Sequence, residues 1–189
     1  EDQVMVAADD RLTEVAVKVL NKSFHEHPEA FQILHREALK TRSLAHPNIV
    51  NVFDCDRDEN TIFMTMELMH GLRLDDALPK NPDGFEFEDA KRFIVEMADA
   101  LKNAHKGGMI HSDLRPGNIF LANGTIKLFD FGMARAIRQG GAETTIMRRP
   151  DTGEVSELTP AYASPEMVAN SAEPDPRDDI YAMGCLACE

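Results

Sequence analysis

The richest chemistry in this chain lies in one short run. His111-Ser112-Asp113-Leu114-Arg115-Pro116-Gly117-Asn118 sets a carboxylate, a cation two residues on and an amide five residues on, and Asp130-Phe131-Gly132 adds a second carboxylate. Phosphoryl transfer calls for such a set. One carboxylate orients an attacking hydroxyl and accepts its proton, a cation neutralises the moving phosphoryl group, and an amide oxygen and a second carboxylate hold Mg2+ on a nucleotide.

These residues need elements to position them. Residues 119–122 and 125–129 flank Asn123-Gly124, a strong signal for a tight hairpin, with Asn118 at one end and Asp130 at the other. Before them, residues 88–105 carry an apolar stripe of Ala90, Phe93, Ile94, Met97, Ala98 and Leu101, the mark of an amphipathic helix ended by Gly107-Gly108. Val15, Val17 and Val19 alternate with Ala16, Lys18 and Leu20, so this stretch predicts a strand, and Val4 and Val6 suggest another. Lys18 shares a face with Ala16 and Leu20, either snorkelling at the strand edge or paired with a buried acid. A helix is expected from 28 to about 44, with Phe31, Leu34, Ala38 and Ala45 on one face and Glu37 in its middle, stopped at His46-Pro47-Asn48. Strands at 49–53 and 61–67 follow, joined by an acidic turn over 54–60. Met69-His70-Gly71 reads as a connector, 74–78 as a short helix and 79–84 as a loop. Residues 133–162 read as one long polar loop, and an apolar helix follows Asp178-Asp179.

The bulk composition narrows the class. With 189 residues, 43% of them hydrophobic, the chain can bury one ordinary core or two small lobes. A net charge of −13 argues against a nucleic-acid backbone as partner, and means that a nucleotide needs Mg2+ and well-placed cations to bind. No apolar run approaches a membrane span, and no signal peptide opens the chain. Three cysteines are too few for a disulfide scaffold, so a reducing cytoplasm is the expected compartment. Cys185-x-x-Cys188 stands without a second pair on an apolar segment, and reads as two buried small residues in preference to a metal or redox centre.

In this order the motifs resemble those of the protein kinases, the bacterial serine/threonine branch above all, from Val15 to Gly184. Ala16-Val17-Lys18 is similar to the strand whose Lys binds the α- and β-phosphates, and Glu37 stands where a helix Glu pairs with that Lys. The resemblance makes Asp113 the catalytic base, Asn118 and Asp130 the Mg2+ ligands, and Asp179 the helix residue that anchors the catalytic loop. It assigns adenine hydrogen bonds to the Glu67 carbonyl and Met69 amide, an adenine sandwich to Ala16 and Phe120, and the back of the pocket to Met66. Ser164-Pro165-Glu166 resembles the end of the activation segment. The implied fold is α+β and two-lobed, with a β-rich lobe over 1–69 and a mainly helical lobe over 70–189. The implied cosubstrate is ATP with Mg2+, and the implied acceptors are proteins. Thr159-Pro160-Ala161-Tyr162 resembles the segment in which a Thr contacts the catalytic Asp, and with Arg115 it favours Ser/Thr over Tyr acceptors.

Several positions depart from the family pattern. Ser112 replaces the Arg that reads activation-loop phosphorylation, and Arg115 replaces a Lys, keeping the cation with a different fork geometry. Thr41 stands where a large apolar residue packs the helix carrying Glu37. Thr144, Thr145, Thr152 and Ser156 are candidate phosphorylation sites with Arg148-Arg149 as receiver, although each singly reads as an ordinary loop residue. The phosphate-covering glycine-rich loop is absent, so the chain as given reads as an internal piece with little transfer activity of its own. Two other readings stay open. A pseudokinase would bind nucleotide without turnover, and a small-molecule phosphotransferase would use a similar loop on a small alcohol.

Overall fold

The computed structural model describes residues 3–8, 14–19, 28–58, 61–131, 147–148, 155–156, 161–169 and 173–189. The valine alternation does build a strand: β2 (Glu14–Val19) pairs antiparallel with β1 (Gln3–Ala8) and with β4 (Ile62–Glu67), and β4 pairs with β3 (Val52–Arg57). The order is β1-β2-β4-β3. Helix α1 (Pro28–Ser43) lies on this sheet through Leu34 and Ala38, which join Ala16, Val50, Val52, Cys55, Met64 and Met66 in one core cluster.

Three expectations in this region need correction. Residues 54–57, expected in an acidic turn, belong to β3, where Val52 and Cys55 face inward while Asp54 and Asp56 face water. A bulge between Val52 and Asp54 breaks the simple alternation that would have shown this. Ile49 and Val50 are buried outside the strand, Ile49 forming an isolated bridge to Leu128. Ala45 lies beyond α1 and is exposed, and the buried face is completed by Glu37 and Thr41.

The chain then passes through β5 (Leu72–Arg73), a two-residue strand invisible to periodicity, into α2 (Leu74–Ala77) and a 3-10 turn over Leu78–Lys80. Helix α3 (Phe87–Lys106) buries Met97, Ala100, Leu101 and Ala104, and ends at Gly107, whose N–H donates to Asn103. Strands β6 (Ile119–Ala122) and β7 (Thr125–Leu128) form the expected hairpin, with Asn123 at φ 53° and Gly124 at φ 79°, the paired positive dihedrals of a type I′ turn. β5 adds to β6, giving a second sheet β5-β6-β7. Two-residue strands β8 (Met147–Arg148) and β9 (Val155–Ser156) pair within the expected long loop. Helices α4 (Pro165–Val168) and α5 (Pro176–Leu186) complete the described chain.

A second core cluster gathers α3, the hairpin and α5 around Leu101, Ile119, Ile126, Leu128, Phe131 and Ala182. It also takes Leu44 and Ile49 from the segment after α1. Asn48 stitches that segment to the hairpin: its amide donates to the Ile126 carbonyl at 2.9 Å, and its carbonyl accepts from the Leu128 N–H at 2.8 Å. The fold is α+β, a β-sheet region followed by a mainly helical one. Among the described residues, no helix is long and apolar enough to cross a membrane.

Candidate active site

A fully buried carboxylate fixes the loop that carries Asp113. Asp179, 1% exposed on the first turn of α5, accepts from the backbone N–H groups of His111 and Ser112, both at 2.9 Å. His105, at the end of α3, lies 2.7 Å from the same carboxylate. A buried carboxylate needs several donors to persist, and here two are backbone amides of the loop itself. Ser112 sits at φ 65°, a left-handed conformation that costs a non-glycine residue energy, and the Asp179 bond to its N–H helps hold it there. The neighbouring capping box of Asp175 and Asp178 starts α5 at the right place, and Asp178 accepts from the Ser164 hydroxyl at 2.6 Å.

Asp113 is held from the other side by Asn118. The Asn118 amide donates to the Asp113 carbonyl at 2.7 Å and to Asp113 Oδ2 at 2.9 Å. Arg115 Nε approaches the same Oδ2 at 3.4 Å, so one carboxylate oxygen carries both contacts. The Phe129 N–H donates to the Asn118 carbonyl at 3.2 Å, tying the two ends of the hairpin. Asp130 follows at φ 63°. His111 and Phe131 pack ring to ring with centroids 4.5 Å apart, so both motifs share one apolar contact.

Lys18 reaches across from the first sheet to Asp130, Nζ to Oδ2 at 2.6 Å, with both side chains nearly buried. The strand Lys therefore has the buried acid that its face demanded. The expected partner was Glu37. Glu37 is buried, yet among the described residues its ion pair is with Lys40, one turn along α1, at 2.8 Å. Glu37, Thr41, Met64, Met66, Asp130 and Phe131 line one cavity of about 10 Å³. The Thr41 hydroxyl bonds back to the Glu37 carbonyl, as expected of a small polar residue that fills little of that space.

Among residues expected to face adenine, β2–β4 register sets Ala16 opposite Met66 and Val15 opposite Glu67. Met69 is half-buried against the first core cluster. Phe120 lies on β6 with Gly71 passing close above it: a Cβ on Gly71 would stand 1.9 Å from the Leu121 carbonyl oxygen and 3.1 Å from Phe120 Cε1. The Glu67 side chain forms an ion pair with Lys127, the β7 residue opposite Phe120. Sequence reasoning missed this pair and that of His105. Alternation in the hairpin could have found Lys127, since Ile126 and Leu128 must face inward and Lys127 outward. Thr159 and Gly132 lie outside the described residues, as do Thr144, Thr145, Thr152 and Arg149.

The residues present fit a nucleotide-bound divalent cation. Asp130 Oδ1 is buried with no hydrogen-bond partner, an acceptor open to a cation or a water. Asn118 has committed its amide nitrogen to Asp113, which leaves its oxygen for a cation. Among the described residues no group of three His, Cys, Asp or Glu side chains could hold a metal alone. The two oxygens of Asn118 and Asp130 suit Mg2+, which takes one or two protein oxygens and completes its shell with phosphates and water. Cys185 and Cys188 add nothing: Cys185, within α5, is half-buried and Cys188, past its end at Leu186, is exposed, so neither is buried as expected.

Known proteins are similar to this chain over nearly its whole length. The protein kinase domain family matches residues 3–189. A probable serine/threonine-protein kinase PknB of Corynebacterium glutamicum is 36% identical over 97% of this chain and 28% of its own length. The serine/threonine-protein kinase PknA of Mycobacterium tuberculosis is 34% identical over 99% of this chain and 43% of its own. A probable serine/threonine-protein kinase of Bifidobacterium longum, pknA2, is 33% identical over 98% of this chain and 24% of its own. The chain thus spans about a quarter to under half of these relatives' lengths.

Proposed function

Because this chain belongs to the protein kinase domain family, we propose that it is the catalytic part of an ATP- and Mg2+-dependent protein serine/threonine kinase. The observation that carries the proposal is the placement of Asn118 and Asp130 at the two ends of one hairpin, with Asp113 hydrogen-bonded to Asn118 and Lys18 brought onto Asp130 from a separate sheet. Bound Mg2+ and ATP supply the transferable phosphoryl group and most of the charge neutralisation. The chain supplies position. Asn118 and Arg115 occupy Asp113 Oδ2, which leaves Oδ1 to accept the proton of the attacking hydroxyl. Arg115 neutralises the γ-phosphoryl group, and Lys18 leaves Asp130 for the α- and β-phosphates, supported by Glu37. Asn118 and Asp130 hold the metal. Ala16 and Phe120 enclose adenine, and the Glu67 carbonyl and Met69 amide read its edge. Thr159 belongs to the same proposal as the residue that bonds Asp113 and favours Ser/Thr acceptors.

The substrates in this reading are proteins, the compartment is the cytoplasm, and nucleic acid is not a partner, in keeping with a net charge of −13. A division into lobes at 1–69 and 70–189 is supported by the two separate core clusters, although Leu44 and Ile49 reach from the first into the second. The test offers the intact gene product labelled ATP, Mg2+, a mixture of protein acceptors and a set of small alcohols. Label on protein Ser or Thr is the expected result. Label on a small alcohol alone would make the chain a small-molecule phosphotransferase.

A further inference from the structure

Gly117 is buried in the 3-10 turn over Pro116–Asn118, and its φ lies outside the left-handed region. Its backbone does not call for glycine, but its neighbours do. A Cβ there would stand 3.1 Å from Arg115 Nη1 and 3.1 Å from Asp75 Oδ2, so guanidinium and carboxylate border one bare spot on the turn. Resting on the function proposed above, we infer that Asp75, on α2, is a positioning residue for phosphoryl transfer that acts through Arg115 across Gly117.

Two atoms that both stand 3.1 Å from one point lie no more than twice that distance apart, close enough for unlike charges to attract. Arg115 needs such an anchor. Its printed ion pair is with Asp113, Nε to Oδ2 at 3.4 Å, a long contact, and the side chain is 39% exposed. A guanidinium held weakly at Nε alone keeps much of its rotamer freedom, which must be given up each time it meets a phosphoryl group. An acid beside Nη1 restricts it beforehand, with Asp113 on one side and Asp75 on the other, and the remaining N–H donors stay free for the γ-phosphoryl group. Asp75 has charge to spare for this. Arg73 is shared between Asp75 at 3.1 Å and Asp76 at 3.5 Å, one cation for two acids, and Asp75 Oδ1 is buried without a hydrogen-bond partner. The turn is fitted to arginine in particular, since a Lys at 115 would carry no Nη1 to lie over Gly117.

The experiment measures kcat and nucleotide Kd for the full gene product with labelled ATP, Mg2+ and a mixture of protein acceptors. In parallel it follows the rate at which phenylglyoxal modifies Arg115, read by peptide mass mapping. Asp75→Asn should lower kcat by about three- to fivefold, the scale of a partly exposed ion pair, and speed the modification of Arg115, with Kd unchanged. Gly117→Ala, whose Cβ displaces the guanidinium, should lower kcat by about tenfold or more. In an Arg115→Lys background neither substitution should lower kcat further. Asp83→Asn, the same change of charge on an exposed turn, should match wild type in every reading. An unchanged kcat or an unchanged modification rate in Asp75→Asn would overturn the inference, as would an equal fall in kcat in the Arg115→Lys background or a rise in Kd that accounts for the loss. Asp75→Ser serves the same comparison where Asp75→Asn does not fold. A wild type that binds nucleotide but transfers nothing would overturn the proposed function, and the modification rates would still decide whether Asp75 holds Arg115.

Discussion

Asp179 and Ser112 are 67 residues apart in sequence, and the carboxylate of one accepts the backbone N–H of the other at 2.9 Å. That bond holds the loop before Asp113 in a conformation, φ 65° at Ser112, that the chain would otherwise leave. Replacing Asp179 by Ala strands two buried N–H groups and the His105 ring. We expect a loss of about 3 kcal/mol in urea denaturation. Phosphoryl transfer should fall further than folding alone explains, since Asp113 loses its fixed position.

Gly71 offers a second test, of how the connector passes over Phe120. Its φ is 157°, and an added Cβ would lie 1.9 Å from backbone oxygen, which cannot yield as a side chain would. Gly71→Ala should cost about 1–3 kcal/mol and weaken nucleotide binding together with stability. Gly108→Ala is the control. No atom stands within 4 Å of a Cβ there, so its φ of 71° alone produces any loss, with nucleotide binding intact.

The cysteines should separate by reactivity. Burial, reinforced by Asp54 and Asp56, pushes the Cys55 thiol up to about 12, so almost no thiolate forms at neutral pH. Cys188 is exposed. Iodoacetamide on the folded protein should therefore modify Cys188 first, and Cys55 only in urea, as peptide mass mapping will report.

Asp175 caps α5, and side-chain and backbone hydrogen bonds from Arg177 hold its carboxyl down at about 2, against an ordinary 3.8. A depressed folded-state value means the ionised cap stabilises the fold above roughly pH 4 and ceases to do so as pH falls towards 2. Wild type should thus exceed Asp175→Asn in stability at pH 5, with the gap closing by pH 2. Chemical denaturation followed by circular dichroism at intervals across that range measures it.

Much of this was legible in the chain, for identifiable reasons. The hairpin was readable because Asn123-Gly124 is one of few sequences that take two consecutive positive φ values, and α3 because its apolar stripe is long. Asn118 and Asp130 could be placed at the two ends of the hairpin from those facts alone. β3 was misjudged because a bulge broke its alternation, and acidic residues on an exposed strand face look like a turn. β5 is too short to carry any period. The Lys40–Glu37 pair obeys helical spacing and was open to prediction, but which of two lysines wins a shared carboxylate depends on distances that no spacing rule contains.

Under the function proposed above, Asp113 serves phosphoryl transfer and not folding. The most direct measurement is γ-phosphate transfer from labelled ATP by the intact gene product and by its Asp113→Asn variant, with nucleotide affinity measured for both. The account predicts label on protein Ser or Thr that falls by about a hundredfold or more in the variant, with affinity for nucleotide retained. Equal transfer by both proteins, or nucleotide binding by the wild type with no transfer at all, would contradict it.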